Sequence, residues 1–433
     1  MSKKIIEVKY LARVEGEGGL RISIENKKIK DLELRIFEPP RFFEAFLQGR
    51  SFNEAPDITS RICGICPVAY QTSAASAIED ACQFSISEST RTLRRLLYLG
   101  EWIESHSLHM YMLHAPDFLG YESGIHMAKD YPKEVKQGLE LKKIGNELMS
   151  LVGGREIHPI NMKVGGFYRF PRKRELENFL PRLEKAQELA EKTVKLVSTF
   201  PFPDFTRDYE YVSLRSPHNE YPVEGGRVVS NRGLDIDVSD YEKHFEEIHV
   251  PHSTALHSVH KGFGSYHVGP LARLALNFDR LTPKARELAE KVGWNPKNQN
   301  PFRSIVARAI EVLYACEEGI RLAGAYVEPS SEMKARVVQA RPATGMGISE
   351  APRGILYHRY RLNADGTIAE AKITPPTSQN QSCIETDLRE LVSARMSWGK
   401  DKITRLCEQA IRNYDPCISC STHFLKVTWE EKQ

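Results

Sequence analysis

Four of the eight cysteines occur as two Cys-x-x-Cys pairs at opposite ends of the chain. Cys63 and Cys66 belong to the segment Arg-Ile-Cys-Gly-Ile-Cys, and Cys417 and Cys420 belong to Asp-Pro-Cys-Ile-Ser-Cys. Cys417, the first cysteine of the second pair, lies 351 residues after Cys66. One such pair could be a redox dithiol, half of a zinc site or two ligands of an iron–sulfur cluster. All four thiolates together could bind one soft metal centre if both chain ends meet. A structural zinc site usually closes a much shorter loop, so that role is the weaker interpretation.

Composition and charge are those of an ordinary soluble globular protein. Of 433 residues, 41% are apolar and 27% charged, and the net charge of +3 is too small to indicate a nucleic-acid partner. No apolar segment follows the N-terminal lysines and no stretch approaches about 18 apolar residues, so we expect no secretory signal and no membrane span. We therefore expect a cytoplasmic protein whose isolated cysteines are small buried apolar residues. The isolated cysteines are Cys82, Cys316, Cys383 and Cys407.

A large folded body must bring the two cysteine pairs together, and hydrophobic periodicity indicates its content. Apolar residues recur mostly at helical spacing, with alternation at two places, so the predicted fold class is mainly α with small β regions (α+β). Pro181 should break the third predicted helix, because proline removes a helical hydrogen bond. The predicted helices cover about 90–112, 133–151, 173–198, 282–292, 302–322 and 385–413.

The β regions are predicted near the two ends of the chain. The first 40 residues read as two or three strands with a turn near Asn26–Lys28, and 342–373 reads as strands around a turn at 363–366. The middle, 200–269, reads as loops with short strands. Because no composition shift marks a boundary, we predict a single domain over residues 1–433, its strand region at residues 1–60.

Five segments resemble nickel–iron hydrogenase large subunits, in the order that the family has them. The two signatures of that family, RxCGxC and DPCxxCxxH, correspond to Arg61–Cys66 and Asp415–His423. The segments ARVEGEGG (12–19), RFFEAFLQGR (41–50) and SEAPRG (349–354) are similar to three more. The resemblance covers essentially the whole chain, is strongest to the soluble, cofactor-coupled branch, and implies a long-helix core with an N-terminal sheet.

The resemblance implies what the cysteines hold. All four would bind nickel, with Cys63 and Cys417 terminal and Cys66 and Cys420 bridging to an iron that carries carbon monoxide and cyanide. Soft thiolates suit these metals better than carboxylates do. The same resemblance makes Glu44 and His423 ligands of a second ion, magnesium or iron(II), although alone they would read as a strand-end glutamate and a tail histidine.

Other roles also follow from the resemblance. Glu15, which by itself reads as a turn glutamate, would relay the proton from Cys417, with Glu17 as the alternative. Arg353, otherwise a turn arginine after Pro352, would place its guanidinium over the metals beside the cyanides. The implied catalytic or cofactor-binding residues are Glu15, Cys417, Pro352, Arg353 and Thr377, with Asp415 as a partner for an arginine.

Four further positions concern the surroundings of the centre. His106 and His109 share a face of a predicted helix and should lie near the metals without binding them. Tyr70 stands where the family often has a histidine, and Ser105 where its membrane-linked branch has an aspartate. Both departures affect proton-path arguments and leave the ligands unchanged.

The function that the resemblance implies is reversible oxidation of dihydrogen by a catalytic subunit. With too few paired cysteines for clusters of its own, the chain would need an iron–sulfur small subunit, followed by flavin or iron–sulfur diaphorase-type subunits and NAD(P), ferredoxin or a deazaflavin. A maturation protease would remove the extension 424–433, leaving His423 at the chain end. The alternatives are a hydrogen sensor and a non-catalytic structural relative; retention of the four cysteines argues against the latter.

Overall fold

The computed structural model describes residues 3–422, and helices form its longest elements. This confirms the predicted fold class. In chain order the α-helices are α1 (Phe43–Leu47), α2 (Ala55–Ser60), α3 (Pro67–Cys82), α4 (Glu88–Leu108), α5 (Ala115–Leu119), α6 (Gly124–Met127), α7 (Pro132–Gly153), α8 (Lys173–Val197), α9 (Tyr241–His244), α10 (Pro270–Asn277), α11 (Pro283–Lys291), α12 (Ser304–Ala325), α13 (Ser331–Lys334), α14 (Pro376–Ser393) and α15 (Lys400–Asn413).

The strands are short and form separate small antiparallel sheets. The strands are β1 (Lys3–Val8), β2 (Gly18–Glu25), β3 (Lys28–Ile36), β4 (Met162–Lys163), β5 (Gly166–Phe167), β6 (Val212–Arg215), β7 (Arg227–Ser230), β8 (Asp235–Ile236), β9 (Phe245–Ile248), β10 (His257–His260), β11 (Thr344–Ala351), β12 (Gly354–Leu362) and β13 (Ile368–Thr374). Within the described residues, the strand orders of the sheets are β1-β2-β3, β4-β5, β6-β7-β8, β9-β10 and β11-β12-β13.

Four long helices, α4, α7, α8 and α12, pack together and form the body of the molecule. A glycine allows the close contact between α4 and α7. A Cβ on Gly145 would lie 2.7 Å from the backbone nitrogen of Glu104 and the same distance from the oxygen of Gly100. After α4 the chain continues as a π-helical segment, His109–His114.

The N-terminal sheet confirms the predicted hairpin. Strands β2 and β3 pair in antiparallel register from Gly18–Ile36 to Glu25–Lys28. Asn26 and Lys27 between them have φ values of 50° and 59°, the left-handed conformation that a two-residue hairpin turn requires. The predicted strands within 342–373 are likewise present, as β11, β12 and β13.

Three details of the predicted helices were wrong. Helix α8 runs through Pro181 without a break, because that residue lies on the exposed side while the opposite face packs into the core. The segment predicted as one helix over 385–413 belongs to two helices, α14 and α15. They are separated by residues 394–399, the last of which, Gly399, has an extended backbone. Helix α3 was missed, because its small, nearly all-buried residues show no amphipathic period.

Candidate metal centre

The N-terminal cysteine pair lies in the loop that leads into α3. Cys66 is the residue before that helix and Pro67 its first residue. The Cys63 sulfur accepts backbone N–H bonds from Ile65 (3.3 Å) and Cys66 (3.2 Å). Local backbone geometry therefore sets the relative position of these two thiols.

A buried carboxyl group from α4 holds the beginning of α3. Glu101 accepts the backbone N–H groups of Val68 (2.6 Å) and Ala69 (3.2 Å), two donors that a helix start cannot pair internally. Burial raises the pKa of Glu101 well above its usual range, although the Val68 bond opposes this. No sequence feature singled out this residue.

The C-terminal pair lies in an irregular segment after α15 and is held by distant parts of the chain. Asp415 has a φ of 51°, which turns the chain out of the helix. The backbone of Cys417 forms a bridge with that of Glu15, and the Ile418 N–H bonds to the Glu15 carbonyl oxygen at 2.9 Å. The Cys417 N–H donates to the Thr377 hydroxyl, at the start of α14, at 3.0 Å.

The two pairs meet in the interior. The ligand atoms of Cys63, Cys66, Cys417 and Cys420 all lie within 4.8 Å of one another. The separations are 3.5 Å for Cys63–Cys417, 4.0 Å for Cys66–Cys420 and 2.6 Å for Cys417–Cys420. Each of these side chains is at most 3% exposed, so the four sulfurs form one enclosed donor set.

The four enclosed thiols can all be ionised only if a positive charge lies close to them. Hydrogen bonds from the Cys417 thiol, and then from Cys420, hold the pKa of Cys63 well below its usual value. Burial, reinforced by the neighbouring thiols, raises the pKa of Cys417 well above it. Four thiolates could therefore coexist here only with positive charge among them, which a bound metal supplies.

Glu15 is an acidic residue whose carboxylate contacts one of these thiols. Its Oε2 lies 3.1 Å from the Cys417 sulfur and also accepts the Ser419 N–H at 3.1 Å. Glu15 is half-buried, so it connects the enclosed sulfurs with the outer part of the molecule. Glu17, the alternative residue, is exposed, and its backbone N–H bonds to Glu38 at 3.2 Å.

Arg353 lies in the turn between β11 and β12 and is 3% exposed. Its Nε donates to the Asp415 backbone oxygen at 2.7 Å and lies 3.1 Å from the Asp415 carboxylate. Burial acts to lower the pKa of Arg353, but Asp415 and the nearby thiols outweigh it, so the guanidinium stays charged. Its Nη1 is buried and has no hydrogen-bond partner among the described residues.

Glu44 and His423 are placed unequally. Glu44 lies in α1, and its carboxylate accepts the backbone N–H of Ile373 at 2.7 Å. His423 and the extension 424–433 lie outside the described residues. The pairing of Glu44 with His423 therefore stays a prediction.

The two helix histidines bond to groups other than the four cysteines. His106 Nε2 lies 3.0 Å from Glu311, and His109 Nε2 lies 2.8 Å from the Arg412 backbone oxygen. Tyr70 is buried, its hydroxyl has no partner among the described residues, and burial followed by the charge of Cys420 raises its pKa well above the usual range.

Arg41 joins the two halves of the centre and was not identified from the sequence. Its guanidinium donates to the carbonyl oxygens of Ile62 (2.8 Å) and Ser419, one beside each cysteine pair. Its backbone N–H bonds to the Thr422 oxygen at 2.7 Å. Arg41 is the first residue of the segment RFFEAFLQGR, which resembles a segment of the hydrogenase family. That resemblance was the one signal in the sequence that could have pointed to Arg41.

The donor set and the unpaired groups fit a nickel–iron centre. Four enclosed thiolates suit soft metals. The buried Nη1 of Arg353 offers a donor to a small acceptor ligand on such a centre. The Thr377 hydroxyl accepts the backbone N–H of Cys417, one of the four cysteines, at 3.0 Å.

Comparison with known proteins agrees with this geometry. The family model described as nickel-dependent hydrogenase matches residues 41–138 and 262–423. The chain is 34% identical to sulfhydrogenase 1 subunit alpha of Pyrococcus furiosus, over 98% of both chains. It is 35% identical to sulfhydrogenase 2 subunit alpha of the same organism, over 98% of this chain and 100% of the relative.

A solved structure shows the same fold. The structure of an NAD+-reducing [NiFe]-hydrogenase in its H2-reduced state matches with a TM-score of 0.87 and 27% identity, over 97% of this chain and 99% of that one. The protein is thus a catalytic large subunit of the hydrogenase class. It belongs to the nickel-dependent hydrogenase family and is an oxidoreductase that acts on dihydrogen. Within residues 3–422, no helix has the length and apolar character needed to cross a membrane.

Proposed function

We propose that this chain is the catalytic subunit of a soluble, cytoplasmic nickel–iron hydrogenase that reversibly splits dihydrogen heterolytically. The observation that carries the proposal is the enclosed set of four sulfurs within 4.8 Å of one another, with a glutamate 3.1 Å from one of them. Such a site offers a metal for polarising dihydrogen and a base for the proton.

Cys63, Cys66, Cys417 and Cys420 would together hold nickel and an iron that carries carbon monoxide and cyanide. When bound, this centre would supply the electrophile that polarises dihydrogen and the capacity to take up its two electrons. The protein holds the four sulfurs at fixed positions and keeps bulk water out, since all four side chains are buried.

Glu15 receives the proton from the Cys417 sulfur. The 3.1 Å separation is within reach of direct transfer, and the Ser419 N–H on the same carboxylate oxygen stabilises the anion that accepts the proton. Because Glu15 is half-buried, it can pass the proton outward without a rearrangement of the core.

Arg353 and Thr377 would supply polar groups beside the metals. The free Nη1 of Arg353 would donate to a cyanide, and Asp415 fixes the plane of the guanidinium through contacts of 2.7 and 3.1 Å. Thr377 would add a hydrogen bond from its hydroxyl. Pro352 restricts the backbone immediately before Arg353.

Glu44 would bind a second ion, magnesium or iron(II), together with His423. The carboxylate is anchored by the Ile373 N–H on β13. A hard carboxylate suits magnesium, whereas an imidazole is more usual on iron. Metal analysis of Glu44→Gln against the unmodified enzyme tests this, and an unchanged magnesium and iron content would contradict it.

Electrons would leave through an iron–sulfur small subunit that docks near the N-terminal cysteine pair. The segment 157–168 exposes Ile157 and Ile160 (each 55%) and Tyr168 (69%). His158 in this segment bonds through Nδ1 to the Ser60 carbonyl oxygen at 2.7 Å, three residues before Cys63. Exposed apolar side chains of this kind are typical of a protein interface. Ile160→Asp should prevent copurification of the small subunit; unchanged assembly would contradict this.

Beyond the small subunit, we propose diaphorase-type flavin and iron–sulfur subunits and an acceptor among NAD(P), ferredoxin and a deazaflavin. The name of the matched solved structure supports NAD+ as one candidate. A maturation protease would cut after His423 once nickel is bound. The intact mass of the nickel-loaded subunit tests the cut, since a mass that includes Gln433 would exclude it.

Infrared spectroscopy with metal analysis tests the proposal as a whole. The purified complex should contain nickel and iron, show bands of bound carbon monoxide and cyanide, and reduce one of these acceptors with dihydrogen. Intact bands with negligible turnover would favour the sensor alternative. Absence of the bands from a nickel-free complex would favour the non-catalytic relative.

A further inference from the structure

A second cluster of potential metal ligands lies outside the cysteine centre. One ring nitrogen each from His252 and His257 and a carboxylate oxygen from Glu385 lie within 4.8 Å of one another. His252 belongs to the loop after β9, His257 opens β10, and Glu385 lies in the middle of α14. The two imidazole rings meet edge to face, with centroids 5.8 Å apart.

His257 is the feature that indicates a ligand. Its side chain is only 3% exposed, and its Nε2 is buried without a hydrogen-bond partner among the described residues. A buried polar atom with no partner costs free energy, and a metal ion bound to that nitrogen would remove the cost. Burial, followed by the proximity of His252, lowers the pKa of His257 to about 4, so the ring stays neutral, as metal binding requires.

Glu385 is already oriented for such a role. Its Oε1 accepts the backbone N–H of Leu34 at 2.8 Å and lies 2.7 Å from His252 Nε2. Metal-binding carboxylates are commonly held by a supporting hydrogen bond of this kind. The Leu34 contact ties the carboxylate to strand β3.

Access from solvent is partial. The side chains of His252 and Glu385 are 20% and 19% exposed, whereas His257 is enclosed. Two imidazoles and a carboxylate are a ligand set that zinc uses when water fills its fourth position. A magnesium or calcium ion would require more oxygen ligands than this cluster provides.

We propose that His252, His257 and Glu385 form a zinc site separate from the cysteine centre. Zinc would displace the proton between His252 and Glu385 and join three segments, the loop 249–256, strand β10 and helix α14. Glu385 lies eight residues beyond Thr377 on α14, about 12 Å along the helix axis. The zinc site would thus restrain helix α14, and the hydroxyl of Thr377 in the first turn of this helix accepts the backbone N–H of Cys417.

The test uses the assembled enzyme with its nickel–iron centre loaded, because the empty cysteine set could itself bind zinc. A chelator treatment that leaves nickel and iron in place comes first, followed by titration with zinc against a chromophoric competitor. We expect one zinc ion per chain, with X-ray absorption showing nitrogen and oxygen ligands at about 2.0–2.1 Å and no sulfur at about 2.3 Å.

Three variants complete the experiment. His257→Gln and the less buried His252→Gln should each weaken zinc binding by at least about 10–100-fold, the loss seen when even a supporting group of a metal site is removed. His126→Gln, at an exposed histidine on α6, should bind zinc as the unmodified enzyme does. Zinc bound only through sulfur, equal affinity in all variants, or no zinc in the loaded enzyme would overturn the proposal and leave a hydrogen-bonded His252–Glu385 pair.

Discussion

The two cysteine pairs have the same spacing but are held in different ways. Cys63 and Cys66 precede α3, and the backbone N–H groups of their own loop bond to the Cys63 sulfur at 3.2–3.3 Å. The C-terminal pair lies in an irregular segment that depends on Glu15, Thr377 and Arg41, residues 40 or more positions away along the chain. The backbone of its own loop thus positions the Cys63 sulfur, with Glu101 and Arg41 as added supports, whereas the C-terminal half is held by contacts from distant parts of the chain.

The two halves of the centre therefore differ in how they are supported and in which of them contacts the candidate base. The N-terminal half precedes helix α3, whose first backbone N–H groups bond to the buried Glu101. The C-terminal half carries the thiol that contacts the candidate base, and the side chains that support it come from distant parts of the chain. Changes to those side chains should therefore affect metal retention and turnover more than folding.

Glu15→Gln should produce the largest effect. The amide can still accept the Ser419 N–H but cannot take a proton, so turnover should fall by about a hundred- to ten-thousand-fold with the metals retained. Isotope exchange between dihydrogen and solvent deuterium measures this directly. Glu17→Gln, at an exposed neighbour, is the control and should retain activity. Full exchange by the Glu15 variant would show that the proton takes another route.

Arg353→Lys should reduce turnover next most strongly. Lysine keeps a charge but loses the planar fork that contacts Asp415 and leaves Nη1 free for a ligand. By analogy with loss of one preorganised donor, we expect about a hundred-fold lower turnover. The denaturation midpoint should change little. Arg361→Lys, on the exposed part of β12, controls for a general effect of the exchange; equal turnover in both variants would place the guanidinium outside the reaction.

The two pairs also differ in how far the sequence could reveal them. Residue types and spacing were sufficient to select the four cysteines, and periodicity was sufficient to find the long helices and the N-terminal hairpin. The supports were not accessible in this way. Glu101 and Arg41 act through backbone groups of segments distant in the chain, and a lone glutamate or arginine carries no pattern that indicates such contacts. Helix α3 was missed for a related reason, because burial on all sides removes the amphipathic signal.

The two halves of the centre can be compared by removing one supporting hydrogen-bond acceptor from each. Thr377→Val leaves the buried Cys417 N–H unpaired, and Glu101→Ala leaves the Val68 and Ala69 N–H groups unpaired. Each should lower the free energy of unfolding by about 1–3 kcal/mol. Nickel content after purification should fall further in the Thr377 variant, because α3 retains its own helical hydrogen bonds. Thr377→Ser keeps the hydroxyl and should restore nickel; equal nickel loss in the first two variants would contradict the distinction.

The smallest expected effect is on the stability of the protein in acid. It involves the π-helical segment His109–His114, which contacts the end of α15 just before the C-terminal cysteine pair. His109 in that segment bonds to the Arg412 carbonyl oxygen at 2.8 Å, and its ring lies 5.0 Å from that of His114. Burial lowers the pKa of His114 to about 3, with Asp117 opposing the shift, whereas an unfolded histidine has a pKa of about 6.5.

Between these two values the unfolded chain binds the proton and the folded chain does not. The contribution of His114 to stability is therefore complete above about pH 6.5 and is lost as the pH falls, at up to about 1.4 kcal/mol per pH unit. His114→Phe should flatten the dependence of the denaturation midpoint on pH below 6.5 by at most one proton per chain, while the same change at the exposed His126 should leave the slope unaltered. Because the segment touches Arg412, nickel should also be released at a lower pH from the His114 variant. If both slopes stayed equal, protonation of the π-helical segment would not be what loosens the C-terminal half of the centre in acid.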